Sequence, residues 1–185
     1  MEKLEVRYFD ALYDAAKAIN STLKADEVLS TIVKATAMAT EAKGCSLLLL
    51  DDEKKQLVHK ADFGLSDKYL HKGELIANRS LADTLRGETV VVSDASNDPR
   101  VQYPAEKVKE GIASIISLPL AARDVVIGEI RVYFSHKQDA FPRDMIKLLT
   151  AVANLSAIAI ENSGMYESLK KAHDVCQREL WHLQP

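Results

Sequence analysis

The sequence predicts an α+β domain with helices at both ends, and three observations carry that expectation. Apolar residues recur at three- and four-residue steps near the N-terminus and again from Pro142 onward. Between these segments lie short apolar or alternating runs separated by Gly, Asp, Asn and Pro. No internal repeat or low-complexity linker divides the 185 residues, of which 47% are hydrophobic, enough for one buried core; a disordered tail is excluded.

Leu4, Tyr8, Ala11, Leu12, Ala15 and Ile19 share one helical face, with Glu5, Asp10, Asp14 and Lys17 between them. Asn20-Ser21-Thr22 breaks the pattern and suits a helix start. Val28, Leu29, Ile32, Val33, Thr36, Ala37 and Thr40 then predict a second helix running to Gly44. The period changes at Cys45–Leu50, a short apolar run. After the polar turn 51–55, alternation over Gln56–Phe63 predicts the second arm of an antiparallel hairpin ending at Gly64.

Residues 65–78 are mixed and polar, with only a weak helical signal, and Ser80–Arg86 before Gly87 reads as a short helix. Thr89–Ser93 predicts a strand, Asp94–Pro99 a loop, and Val101–Glu110 an irregular or short helical lid. Two further strands follow over Ala113–Leu120 and Val125–Phe134, joined by Arg123-Asp124. Val126, Gly128, Ile130, Val132 and Phe134 share one face of the last strand; Glu129 and Arg131 share the other, where the expectation is a solvated pair unless that face is a pocket floor.

From Pro142 to Leu183 no proline interrupts a long helix. A heptad fits Met145, Val152, Ala159, Tyr166, His173 and Leu180 at one core position, with Leu148, Leu155, Asn162, Leu169, Cys176 and Leu183 at the other. So long a helix is expected to protrude and pair with a second copy, through an interface of Leu155, Asn162, Tyr166, Leu169, His173, Cys176 and Leu180.

Charge and motifs exclude several classes of function. Lys+Arg number 24 against Asp+Glu 27, a formal charge of −3, so no excess positive charge advertises nucleic acid or acidic lipid. Cys45 and Cys176 form no metal-ligand pattern and fit a reducing, cytoplasmic setting; no signal-peptide core or membrane-spanning run is present. No G-x-S-x-G, H-E-x-x-H or Walker-type string supports catalysis.

The ordered segments KGCSLLLLDDEKKQL, TLRGETVVVSDASNDPR, EGIASIISLPLAARDVVIGEIRVYF and AIAIENSGMYESL give the chain a pattern that resembles a GAF domain, over roughly residues 20 to 169. The resemblance implies a GAF/PAS-like antiparallel sheet of five or six strands, with the terminal helices on one face and a lid on the other. It divides the chain into an N-terminal helix (1–20) contributing to a dimer bundle, the GAF domain proper (21–163) and a coiled-coil-like extension of the last helix (164–185). It maps the lid to 65–86 and 94–110, and implies a ligand pocket drawn from Phe63, Tyr69, Asp94, Arg100, Tyr103, Ser114 and Ser117. Each has a plainer role: Asp94 and Asp98 cap turns, Arg100 pairs with an acid, and Tyr103 closes the lid.

The function this implies is a cytoplasmic sensory domain that is not an enzyme. It would bind a small molecule, form a homodimer through its first and last helices, and address a downstream signalling protein, as in a two-component system, without nucleic acid or membrane. No lid cysteine is available for a covalent chromophore or for reduction of methionine sulfoxide, and no N-K-x-F-D-E string supports a cyclic nucleotide, so the ligand stays unidentified. Two other readings stand beside it: a ligand-free dimerisation module, and a haem- or iron-binding gas or redox sensor, for which His59, His71 and His136 are the imidazoles to weigh and His71 the nearest to the lid. His173 is assigned to the helix seam and Cys45 to packing.

Overall fold

The computed structural model describes residues 2–182, with the side chains of residues 6–178. Twelve elements follow in chain order: α1 (Glu2–Ser21), α2 (Ala25–Ala39), β1 (Gly44–Leu50), β2 (Gln56–Phe63), α3 (Asp67–Leu70), β3 (Leu75–Ile76), a 3-10 turn (Thr84–Arg86), β4 (Val90–Val92), α4 (Pro104–Glu110), β5 (Ser114–Ala122), β6 (Val125–Phe134) and α5 (Arg143–His182). The strands form one antiparallel sheet in the order β3-β2-β1-β6-β5-β4. This is the expected α+β architecture, with a sixth strand, β3, inside the polar stretch after Gly64.

The two faces of the sheet are set by residue parity. Ile130, Val132 and Phe134 of β6, with Ile116, Leu118 and Leu120 of β5, face α2 and α5 in the main core. Glu129, Arg131 and Tyr133 point the other way, beneath the lid, opposite Pro119, Ser117 and Ile115 in the β5–β6 register. Gly128 is required where β6 crosses β1, because a Cβ there would sit 2.1 Å from the Leu48 carbonyl oxygen.

The helical layer is held by small and β-branched residues. Ala11, Ala15 and Ala18 let α1 approach closely, and Val28, Leu29, Ile32, Val33 and Ala37 fill the space between α2 and the sheet. Asp26 and Glu27 in the first turn of α2 complement its N-terminal dipole. That helix stops at Ala39, short of Gly44, because Thr40 turns its hydroxyl back onto the Thr36 carbonyl and Glu41 adopts a left-handed φ of 53°.

One expectation about α5 is corrected. Met145, Leu148, Val152 and Ala159, read from sequence as seam positions, are buried in the protein's own core, and the buried face continues through Ser163. Beyond Ser163 every described side chain of α5 is exposed. The other heptad position named from sequence leaves the core beyond Leu155, which is half-buried against it: Asn162, Leu169 and Cys176 are exposed and alternate with Ile158, Met165 and Ala172 at three- and four-residue steps. Ile158, Met165 and Leu169 are 47%, 53% and 70% exposed. Tyr166 and His173 are exposed and flank this stripe, while Leu180 and Leu183 fall outside the described side chains. Among the described residues, no helix is long and apolar enough to cross a membrane.

Candidate functional site

The lid is assembled from α3, β3, the 3-10 turn and α4, and it closes over the lid-facing side chains of β1, β2, β5 and β6. Ser66 caps α3 by accepting from the Tyr69 amide at 3.2 Å. It also ties α3 to α4, since its amide and hydroxyl donate to the Glu110 carboxylate at 2.9 and 2.5 Å. Pro104 opens α4 and left-handed Gly111 closes it, so of the irregular or short helical lid expected over Val101–Glu110 the short helix is the form adopted.

Two apolar clusters seat the lid: Tyr69, Leu81, Val101 and Ile112 pack on Val90, Val92, Ile115 and Tyr133, and Leu75 packs on Leu48 and Leu57. Amid this apolar material sit charged groups. Glu129, Arg131 and Lys107 are at most 1% exposed. Arg131 bonds to the Glu129 carboxylate and donates to the Ser80 carbonyl at 3.0 Å, and Ser117 donates to the other Glu129 oxygen at 2.7 Å. The pair expected at a solvated surface is therefore the buried floor of the lid chamber, because the 3-10 turn packs directly over β5 and β6.

Lys107 reaches into the chamber from α4 and donates to the Tyr69 hydroxyl at 3.0 Å. Lys72 lies 3.9 Å from the centre of the Tyr69 ring. Burial and the charge of Arg131 push the Lys72 amine down to about 8 and hold the Lys107 amine well below the usual lysine range. Burial, with the charges of Lys72, Arg131, Lys107 and His71, pushes the His59 imidazole down to about 4, so it is neutral at pH 7. Tyr133 shares a hydrogen bond of 2.8 Å with Ser46 and meets the Tyr69 ring edge-on.

Several buried polar atoms here have no partner: both His59 ring nitrogens, Arg131 Nε, Ser80 Oγ and Thr84 Oγ1. Beside the chamber, between α3 and α4, opens a cleft of about 440 Å³ lined by Ser66, Lys68, Tyr69, His71, Lys72, Glu106, Lys109 and Glu110. Among the described residues, no group of three or more His, Cys, Asp or Glu side chains is arranged to hold a metal ion. His71 bonds to the Asp67 carbonyl and lines this outer cleft, and His136 is exposed next to Gln138.

Of the residues named from sequence, Tyr69 and Ser117 line the chamber, and Tyr103 sits at its edge against the Leu48–Leu57–Leu75 cluster, donating to the Glu74 carbonyl at 2.9 Å. Phe63 and Ser114 are corrected: Phe63 packs into the helix-side core, and Ser114, opposite Phe134, donates to the His136 carbonyl. Parity decides Ser114, which is out of step with lid-facing Ile115 and Ser117, whereas Phe63 shares the parity of Leu57 and His59 and is turned to the helix side by the register shift that leaves Lys60 extra between His59 and Ala61. Asp94 and Arg100 are also corrected, to the surface. Asp94 caps its loop and accepts from Lys137 and Ser96, which hold its carboxyl well below the usual range. Arg100 is engaged by Asp98 and the Val91 carbonyl. Sequence reasoning missed Lys107, Ser80 and Thr84, weighed His59 only as a haem or iron ligand, and held Glu129 and Arg131 as a pocket floor only conditionally; their parity with Ser117 across β5 and β6 was the available signal.

The thiols differ sharply. Cys45 is fully buried on the helix side, where burial pushes its thiol far up, whereas Cys176 is exposed on α5. A native thiol titration is expected to leave Cys45 unreacted in the folded protein and to reach two groups per chain after denaturation. Rapid modification of Cys45 in the folded protein would contradict this packing.

The sequence matches the GAF domain family over residues 24–162. The fold is similar to that of a GAF domain from an Acinetobacter phosphoenolpyruvate-protein phosphotransferase, with 24% identity, a TM-score of 0.72, and coverage of 85% of this chain and 94% of that one. It is similar to a domain of a putative two-component sensor histidine kinase protein from Sinorhizobium meliloti 1021, with 20% identity, a TM-score of 0.67, and coverage of 78% and 95%. A third similar structure is free methionine-R-sulfoxide reductase from Neisseria meningitidis in complex with its substrate, with 18% identity, a TM-score of 0.71, and coverage of 86% and 91%.

Proposed function

Because the chain belongs to the GAF domain family, we propose that it is a sensory domain that binds a small molecule beneath its lid and passes the change to a homodimeric pair of α5 helices. The observation that carries this reading is the lid chamber itself. A module serving only to dimerise gains nothing from burying Lys107, Arg131 and Glu129 with unpartnered Ser80 and Thr84, since apolar side chains there would cost less. The two faces supply the coupling: Glu129 and Arg131 alternate along β6 with Ile130 and Val132, which lie in the core shared with α5. A ligand that shifts β5 and β6 therefore shifts the surface on which α5 rests.

The homodimer is supported by the outer stripe of α5, where Ile158, Met165 and Leu169 stay largely exposed among the described residues. Val6, Phe9 and Tyr13 make a second exposed stripe on α1, which packs beside α5. Met165→Ala or Leu169→Ala is expected to raise the dimer dissociation constant at least tenfold, read by sedimentation. An unchanged constant in both variants would place the interface elsewhere.

The regulatory rather than catalytic assignment is supported by the thiols. Cys45 is buried away from the lid and Cys176 lies in the extension, so the chamber holds no thiol for methionine sulfoxide chemistry. We place the domain in the cytoplasm, upstream of a signalling partner. Native mass spectrometry of gently purified protein, with an absorption spectrum, tests the sensory reading. A dimer carrying a small molecule is the expected result; a Soret band would favour a haem sensor, and a bare dimer whose α5–α5 distances never change would favour the dimerisation module.

A further inference from the structure

We propose that the lid chamber, entered through the cleft between α3 and α4, binds a small organic anion, a carboxylate or a phosphate ester, with Lys107 and Arg131 as its charge partners. The proposal rests on the sensory reading and names the chemical class of the ligand.

The first argument is charge balance. Beneath the lid, Lys107 and Arg131 are each 1% exposed and Lys72 lies beside them, while Glu129 is the one fully buried acid among the described residues there. Glu129 is already committed to Arg131 and Ser117. The acids of the rim are committed as well: Glu110 accepts from Ser66 and lies 3.5 Å from Lys43, and Glu106 pairs with Lys109. The Lys107 ammonium, with three hydrogens to place, has the Tyr69 hydroxyl as its partner. A buried cation so poorly compensated is a burden on folding, which an anion would relieve.

The second argument is the polarity of what is left over. Arg131 Nε is a donor, the Ser80 and Thr84 hydroxyls can donate, and neutral His59 offers one N–H. A ligand rich in acceptor oxygens matches all of them. Their placement is also consistent with one binding site, because Arg131 already bonds to the Ser80 backbone, and Thr84 follows in the turn packed over β5 and β6.

The third argument is access and size. Tyr69 belongs both to the chamber and to the wall of the outer cleft, with Lys107 at its hydroxyl and Lys72 over its ring. The cleft's volume of about 440 Å³ is in the range of small-molecule sites, and Lys107 lies behind its Tyr69 wall rather than in its lining. Lys68, Lys72 and Lys109 around this cleft give an approaching anion a positive path past Glu106 and Glu110. An anion that replaces the Tyr69 hydroxyl as the partner of Lys107 would also loosen α3 from α4, a direct route from occupancy to lid movement. Burial first, and then the neighbouring cations, lower the proton affinity of Lys72 and Lys107 despite the nearby carboxylates of Glu110, Glu129 and Glu106.

The test uses the full chain, with succinate and inorganic phosphate as probes and succinamide as the neutral control, followed by calorimetry and thermal unfolding. One anion is expected to bind with one site per chain and to raise the melting temperature, whereas the diamide does neither. Preference for succinate assigns a carboxylate ligand, and preference for phosphate a phosphoryl one. Lys107→Met is expected to weaken anion binding at least thirtyfold while leaving the unliganded melting temperature unchanged or raised. A Lys107→Met chain that melts well below the parent would assign the ammonium to the fold and overturn the proposal. So would equal binding of the diamide, or anion binding that the variant leaves intact. If none of the probes binds, the small molecule carried by the purified protein decides: an acid supports the proposal and a neutral compound overturns it alone. No bound molecule at all would overturn the sensory reading with it.

Discussion

Glu129→Leu is expected to lower the unfolding free energy by about 3–5 kcal/mol, the cost of leaving a buried cation without its partner. Arg131 loses its carboxylate, Ser117 loses its acceptor, and Lys107 loses a nearby buried acid. The fall should appear as a lower urea midpoint at an unchanged slope, because the surface exposed on unfolding stays the same. Glu129→Gln, which keeps an acceptor for Ser117 and Arg131, should lose less. The double variant Glu129→Leu/Arg131→Met should recover much of the loss, since the uncompensated charge disappears with the arginine. A Glu129→Leu chain as stable as the parent would mean that the buried acid and base are not coupled as the geometry indicates.

How much of this was legible in the sequence follows from what each signal depends on. Alternation fixes strand faces, so β1, β2, β5 and β6 were found close to their ends, and the unbroken apolar repeat marked α5. β3 was hidden because two residues, Leu75 and Ile76, have no period of their own; pairing with Leu57 and Gln56 makes them a strand. The heptad on α5 mixed two faces for a related reason. A long amphipathic helix that packs on a sheet and also presents an outer stripe carries two superposed apolar faces, so Met145, Val152 and Ala159 of that heptad lie inside the domain and Asn162, Leu169 and Cys176 outside it.

The site was less legible than the fold. Ser114 and Ser117 look alike in sequence, yet three residues along a strand reverse the direction of the side chain, placing the first with the helices and the second beside Glu129. Lys107 gave no signal because a lysine in a short amphipathic segment reads as surface; only the docking of α4 across the sheet turns it inward. Asp94 and Arg100 illustrate the opposite case, in which loop chemistry predicted from sequence engages the side chains locally.

Acidification should expose the chamber's excess of positive charge through His59. Its unfolded value is the ordinary 6.5 and its folded value about 4, because burial and the neighbouring Lys72, Arg131, Lys107 and His71 all oppose a further cation. Between those two values the unfolded chain holds more protons than the folded one, so stability rises with pH across the window and is lost as pH falls from 6.5 toward 4. The loss attributable to His59 reaches about 3 kcal/mol at the lower end, roughly 5–10 °C in melting temperature for a chain of this size. Asp98 and Glu110, both held below the usual carboxylate range, begin to contribute only near the acid end of the window. The difference between the parent and His59→Leu isolates the imidazole from them: the two stability profiles should run parallel above pH 6.5 and diverge below it, with the variant retaining its stability. Profiles that stay parallel down to pH 4 would show that His59 takes up its proton as readily in the folded chain as in the unfolded one, and that the chamber around it is not the cationic, desolvated space its neighbours make it.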